Sequence, residues 1–399
     1  MTERQRIESV LSGAMPDKLP WATRLEIWYN ARRRTGTMPG QFREMSLNQV
    51  HEYLGVGRQA YSVLTPFRMS GVDCEVSFEG RKISGFSEPV LSFPKVANLV
   101  PTKSPGKTEI LFKTPVGSAT CIFRTTTKIL DSCATPYLEK HILSNDDDYD
   151  PVFWILDHGS VEPAFDDFNR IEEELGDNGM TMGMIERVPF QRALLDFMGE
   201  ERCFFQLYDN PKPFAALIAR LAEIHRESVE IACRSPALVV ECGDNLDGNM
   251  TNPDLFKAYS LQIMQQTAEK LHSVGKYFAS HVDGDLSALV EILPETGLDV
   301  AESFSPFPLS QLTFEKAYAT WGAQPVMWGI LPSPLFEAHV SDKSFQSEMR
   351  AIMERVEVEN PVILGIGDQA VWPSLWQRIG KITEMVDGLA NLTPAMDTK

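Results

Sequence analysis

No stretch of this 399-residue sequence is apolar and uninterrupted for long enough to cross a bilayer, which takes about 20 such residues in a helix. Cationic residues are scarce beside anionic ones. The 37 Lys and Arg face 55 Asp and Glu, a formal net charge of −18. A surface of that sign repels phosphate backbones and anionic headgroups, so neither nucleic acid nor a membrane is an expected partner. Cysteine is sparse. Cys74, Cys121, Cys133, Cys203, Cys233 and Cys242 show no paired spacing and read as reduced thiols. The first residues, MTERQRIESVLSGAMPDKLPW, lack the apolar core of a signal peptide, so a cytoplasmic location is expected. There is no internal repeat and no low-complexity segment.

What is there suits a globular chain with a large core: 43% hydrophobic and 23% charged residues. The length fits two average domains or one large α/β barrel. Residues 1 to about 60 read as helical. TERQRIESVLSG is amphipathic, and SLNQVHEYLG runs from a serine cap to a glycine stop. Between residues 71 and 128, CEVSFEG, TEILFKTPVG and ATCIFRTTTK are short, β-branched and partly alternating, as in a β-rich elaboration. From about residue 150, helical patterns alternate with short apolar runs: ALVVECGDN, KYFASHVDG, LDVAESF, PVMWGILP and PVILGIGDQ. LSALVEILPETG reads as a helix, and NPDLFKAYSLQIMQQTAEKLHSVG as one helix with an Asn cap and a Gly stop. Apolar strands separated by helices imply a parallel sheet covered on both faces. The segment count favours a (β/α)8 TIM barrel. It would form a single unit over residues 1–399, with residues 1–150 as helical and β-rich N-terminal elaboration.

In such a barrel the reactive groups gather at the C-terminal ends of the strands. Those ends carry Glu241, Cys242 and Asp244; His281, Asp283 and Asp285; Glu302; and Asp368. His281 with Asp283 is the leading candidate pair, although a histidine and an acid here could simply cap a loop and a helix. Asp285 stands at a helix N-cap position and is expected to be structural. Glu241 and Glu302 each end an apolar strand, where a carboxylate needs a partner, as ligand, general acid or plain salt bridge. Cys242 should point away from the barrel and pack. Asp368 follows GIG, which lets the backbone approach a ligand closely. His158 and Glu186 are weaker candidates. Phe304, Phe307, Trp321, Trp328, Trp372 and Trp376 could line a pocket, with core filling expected for most. Arg32, Arg33 and Arg34 read as a solvated helix face, and NDDDYD (145–150) as a solvated loop.

The run from VVECGDNLDGNMTNPDLF through KYFASHVDGD to LDVAES, together with TPVGSATCIF, NPKPFAALIARL and WGILPSPLF, resembles the uroporphyrinogen decarboxylase superfamily. The resemblance lies in segment order and spacing over residues 110 to 390, and it implies a (β/α)8 barrel. The superfamily contains decarboxylases and cobalamin-dependent methyltransferases. The decarboxylases carry an MRQAGR-like arginine motif. WATRLEIWYNARRRTG at the comparable place supplies Arg24 and Arg32 to Arg34 without that motif. The methyltransferase branch binds zinc through His-x-Cys after one strand and a Cys near the last. Here those positions hold His281, Asp283 and Asp368, so zinc with a His and carboxylate set is the implied metal site.

That departure suits an oxygen substrate better than a thiol. The chain looks most like the methyltransferases that demethylate aromatic methyl ethers. The resemblance implies metal ligands His281, Asp283 and Asp368, and with the strand-end glutamates the expected catalytic set is Glu241, His281, Asp283 and Glu302. Cobalamin would be carried by a separate corrinoid protein or used free, since no Asp-x-His-x-x-Gly cobalamin loop is present. A homodimer is also compatible with the superfamily. A porphyrinogen decarboxylase, and methylamine, betaine or methanol as methyl donor, remain alternatives.

Overall fold

Eight parallel strands make one sheet: β1 (Ala22–Thr23), β2 (Gly57–Val63), β3 (Gly179–Ile185), β4 (Val239–Cys242), β5 (Tyr277–His281), β6 (Val300–Phe304), β7 (Val326–Leu331) and β8 (Val362–Ile366). This is a computed structural model, and it describes residues 1–83, 104–358 and 360–390. Each strand pairs in parallel with the next in chain order. The sheet closes where Trp21 bridges Leu364 and the Leu364 amide donates to Pro20 O at 2.8 Å. The (β/α)8 barrel expected from the apolar runs is therefore the observed fold. Strands β4, β6, β7 and β8 are buried at every position, as both-face coverage requires.

Two barrel strands come from the region that reads as helical. Helices Glu3–Leu11 and Leu47–Leu54 form as expected, the latter capped by Ser46 and ended by left-handed Gly55. Between them β1 is only two residues long, and β2, GRQAYSV, which follows the second helix, has no continuous apolar run. The second element of departure is LSALVEILPETG. Residues 287–292 form turns and only Leu293–Thr296 is a short 3-10 helix. Pro294 lacks the N–H that a longer helix would need there. The Asn252-capped helix is split into Pro253–Tyr259 and Leu261–His272 at Ser260.

The β-rich insertion between β2 and β3 is a five-stranded antiparallel sheet. In spatial order its strands are Arg81–Ile83, Asp73–Phe78, Gly106–Thr114, Gly117–Thr125 and Tyr137–Lys140. It packs a separate core, including Ile110, Phe112, Val152, Phe190, Phe197 and Phe214, against helices outside the barrel. No helix among the described residues is long and apolar enough to cross a membrane.

Inside the barrel the side chains are layered. Ile7, Val10 and Leu11 of the first helix plug the N-terminal end and pack with Met182, Val239, Ala279, Val300, Val326 and Trp328. Successive residues in a strand alternate faces. Two residues above Val239, Ala279 and Val300 stand Glu241, His281 and Glu302. The alternation that builds the apolar floor thus sets these three groups on top of it. The register confirms the proximity, since His281 pairs directly with Glu302 across β5 and β6.

His51 lies outside the barrel, fully buried, with Nδ1 3.3 Å from Val56 O. Burial, followed by the charge of Arg58, pushes its pKa down to about 3. A folded-state pKa below the unfolded value of about 6.5 gives stability that is present above pH 6.5 and lost as the pH falls toward 3. Between pH 6.5 and 5 the unfolding free energy of the parent should drop about 2 kcal/mol further than that of His51→Gln. Urea denaturation at the two pH values checks this, and an equal drop in both proteins would contradict it.

Candidate active site

Strands β4, β5 and β6 end on a tight cluster. Glu241 and Glu302 are each 1% exposed and His281 is 7% exposed. One ligand atom from each lies within 4.8 Å of the others. His281 Nδ1 makes a short contact with Glu302 Oε2 and lies 4.0 Å from Glu241 Oε1. Its Nε2 faces the other way, 3.5 Å from Asp283 Oδ2 and 4.0 Å from Asp368 Oδ1. Four of the acids singled out from the sequence are therefore arranged around the His281 imidazole, two glutamates on one nitrogen and two aspartates on the other.

The two buried glutamates differ in their partners. Glu302 Oε1 accepts from Gln59 Nε2 at 2.6 Å, and Oε2 meets the imidazole. Burial alone would raise its pKa, but the charge and N–H of His281, then Arg24 and the Tyr61 hydroxyl, hold it below the ordinary carboxylate value. Glu241 Oε2 is buried without any hydrogen-bond partner. Burial first, then the Glu302 charge, pushes the Glu241 pKa well up, against the pull of His281 and Arg24. Two acids whose surroundings drive their pKa values apart take different roles. These surroundings favour the anion at Glu302 and the protonated acid at Glu241. Burial by itself would strip the proton from His281, yet Glu302 and Asp283 raise its pKa well above the ordinary value. Asp283 is held low by His281 and by Asn245, whose Nδ2 lies 3.3 and 3.2 Å from its two oxygens.

The backbone around the cluster is irregular. Asn245, Ser303 and Asp368 have φ of 48°, 61° and 58°, a region non-glycine residues seldom adopt. The β6–β7 register shifts between Glu302 and Phe304, so Ser303 is a bulge. Such strain and bulges concentrate beside functional groups. The Asp368 amide donates to Ser303 Oγ at 2.6 Å, and Arg24 donates to both the carbonyl and the carboxylate of Asp368.

Above the cluster lies a cavity of about 470 Å³, in the size range of small-molecule sites. Arg24, Tyr61, Arg187, Glu241, His281 and Asp368 form its polar wall, and Ile27, Val63 and Met184 contribute apolar surface. Tyr61 is its one aromatic lining residue among those described. The tryptophans are elsewhere. Trp328 donates to Ala22 O, Trp321 packs edge-on to Phe304, and Trp376 packs on Phe42. Phe307 is exposed, and Trp372 lies on the outside near Arg32. Cys242 packs in the outer barrel core, as its alternation demands. Asp285 accepts from the Ser287 amide at 2.9 Å and is structural, although it caps a turn and not a helix. His158 stacks on Trp154 at the surface, while Glu186 lines the cavity and pairs with Arg192 at 3.3 Å.

Sequence reasoning missed Gln59 and Tyr61, and noted Arg24 only in the stretch that stands where the decarboxylases carry their arginine motif. The available signal was the alternation of Gln59, Tyr61 and Val63, which sets one face of β2 toward the barrel interior.

Whether a divalent ion suits the cluster can be judged from two features. Glu241 Oε2 is a buried oxygen lacking a partner, and one imidazole with two carboxylates is a donor set that zinc accepts. The residues fit. The Nδ1 side is the better ion site, because Asp368 on the Nε2 side is already neutralised by Arg24.

A family model described as uroporphyrinogen decarboxylase (URO-D) matches residues 128–375. Among solved structures, a methyltransferase from Methanosarcina mazei superposes with a TM-score of 0.58 at 14% identity, covering 97% of this chain and 99% of that one. No curated protein matches the sequence.

Proposed function

The chain belongs to the uroporphyrinogen decarboxylase family, and from that premise we propose that it is a methyltransferase moving a methyl group from a phenyl methyl ether to the Co(I) of a separate corrinoid protein. The observation that carries this reading is Glu241, a buried acid on the cavity wall whose Oε2 has no hydrogen-bond partner, beside a histidine ringed by carboxylates. The electron pair of Co(I) attacks the methyl carbon. The O–CH3 bond breaks with its electrons staying on oxygen, and the phenolate takes a proton. Glu241 holds that proton where the oxygen departs. His281, kept cationic by Glu302 and Asp283, offsets the developing negative charge. When bound by Glu241, His281 and Glu302, a divalent ion such as zinc would supply Lewis-acid polarisation of the same oxygen in place of the proton.

The barrel shares its fold with the M. mazei methyltransferase, which supports this branch of the family. The decarboxylase reading needs a clamp of unpaired arginines for a polyanionic tetrapyrrole. The two arginines on the wall are committed to this chain's own acids, Arg24 to Asp368 and Arg187 to Asp196. The wall holds a single aromatic, so the aryl ether rests on the acid and not on stacking. The same reading extends to a cytoplasmic location and a homodimer.

A proton on the leaving oxygen predicts a specific kinetic signature. Across methoxyphenols of graded phenol acidity, the parent enzyme should show a shallow dependence of rate on leaving-group pKa. Glu241→Gln should show a steep one, with the poorest leaving groups slowed about 10²–10⁴-fold. Parallel slopes in the two proteins would remove Glu241 from the acid role.

A further inference from the structure

Glu302 is the only member of the buried trio absent from the cavity wall, and its Oε1 is held from outside the stretch matched by the family model. Gln59, 3% exposed on β2, sends both amide hydrogens inward, to Glu302 Oε1 at 2.6 Å and to the Tyr61 oxygen at 3.0 Å. The Gln59 amide also lies 3.9 Å from Met182 Sδ. Because a carboxylate accepts only, the amide must present its NH2 and not its oxygen to Glu302. The Tyr61 hydroxyl, having accepted from Gln59, keeps its own hydrogen for a hydrogen bond to the Glu302 carboxylate. The Arg24 guanidinium sits 4.5 Å over the Tyr61 ring and fixes its plane. One oxygen of Glu302 is therefore tied down by β2, which leaves the other to face His281 Nδ1 and Glu241.

We propose that Gln59 and Tyr61 are positioning residues of a divalent-metal site formed by Glu241, His281 and Glu302, so that the second barrel strand is an integral part of that site. This rests on the metal reading given above. Neither residue reaches an ion. Their role is to stop the Glu302 carboxylate from rotating both oxygens toward His281 or toward Glu241. Partners that orient a ligating carboxylate typically contribute about 10–100-fold to metal affinity.

The test is an equilibrium titration of metal-free protein with Zn(II) against a colorimetric chelator, with the visible spectrum of the Co(II)-substituted protein as a second readout. The parent should bind one ion. Gln59→Leu should bind about 10–100-fold more weakly, and its Co(II) bands should move as the carboxylate turns. Tyr61→Phe, which keeps the ring and loses only the hydroxyl, should weaken binding in the same direction. Met182→Leu touches the same amide yet removes no donor, and it should bind like the parent. If Gln59→Leu does not fold, as judged by its melting transition, Tyr61→Phe decides. Parent-like affinity and spectra in the folded Gln59→Leu and Tyr61→Phe variants would overturn this inference and leave the metal reading standing. A parent that binds no zinc would overturn the metal reading and this inference with it.

Discussion

His281→Ala is expected to lower the rate of methyl transfer from an aryl methyl ether by about 10²–10⁴-fold while the barrel stays folded. The imidazole holds two pairs of carboxylates apart, with Nδ1 toward Glu302 and Glu241 and Nε2 toward Asp283 and Asp368. Alanine removes the positive charge from the cavity wall and leaves four acids around an empty position. Their mutual repulsion would drive proton uptake, so the cluster would lose its charge pattern along with its histidine. Asp283→Asn should act more mildly. Asn245 can still bond the amide, and the imidazole keeps its contact with Glu302. The check is stopped-flow absorbance at the cobalt bands in parent and variant. A His281→Ala rate within a few-fold of the parent would exclude the histidine from the chemistry.

Glu302→Ala should cost about 3–5 kcal/mol of unfolding free energy, the usual penalty for taking one partner from a buried ion pair. It would strand the protonated imidazole, the Gln59 amide and the Tyr61 hydroxyl at once. Glu241→Gln should be nearly neutral, or slightly stabilising, because the lost proton-bearing oxygen has no partner to abandon. The two glutamates are buried to the same extent, so burial alone predicts equal costs for the same substitution, and Glu302→Gln, expected to remain clearly destabilising, is the matched comparison for Glu241→Gln. Chemical denaturation of the two Gln variants at pH 7 separates the accounts. Similar losses in the two would mean that Glu241 has a partner and that the acid–anion split is wrong.

The barrel and its reactive end were legible because both rest on local pattern. Apolar runs such as VVEC and VAESF are what a doubly covered strand requires. A charged residue at the end of such a run has few places to go. Glu241, His281 and Glu302 could be located from this alone, and the alternation rule sent Cys242 outward where it is found. Gln59 and Tyr61 were not legible in the same way. Their strand is half polar, and the reason for its polarity is Glu302, 243 residues away along the chain. In place of the helix expected after β5, residues 287–292 form turns despite the apolar spacing of LSALVEIL, and only Leu293–Thr296, with Pro294 in its first turn, is a 3-10 helix. The pocket's small aromatic content was equally hidden. Trp321, Trp328 and Trp376 turn toward packing partners that only the closed barrel brings near.

The central claim is that this cavity transfers a methyl group from an ether oxygen to cobalt. The most direct measurement mixes the protein anaerobically with Co(I) cobalamin or a Co(I) corrinoid protein and a methoxylated phenol, and follows the visible spectrum. The expected result is ether-dependent conversion to methyl-Co(III), release of one phenol per cobalt methylated, and loss of the conversion in His281→Ala. A spectrum unchanged by any ether, methanol or methylamine, in a sample that decarboxylates a porphyrinogen, would contradict it.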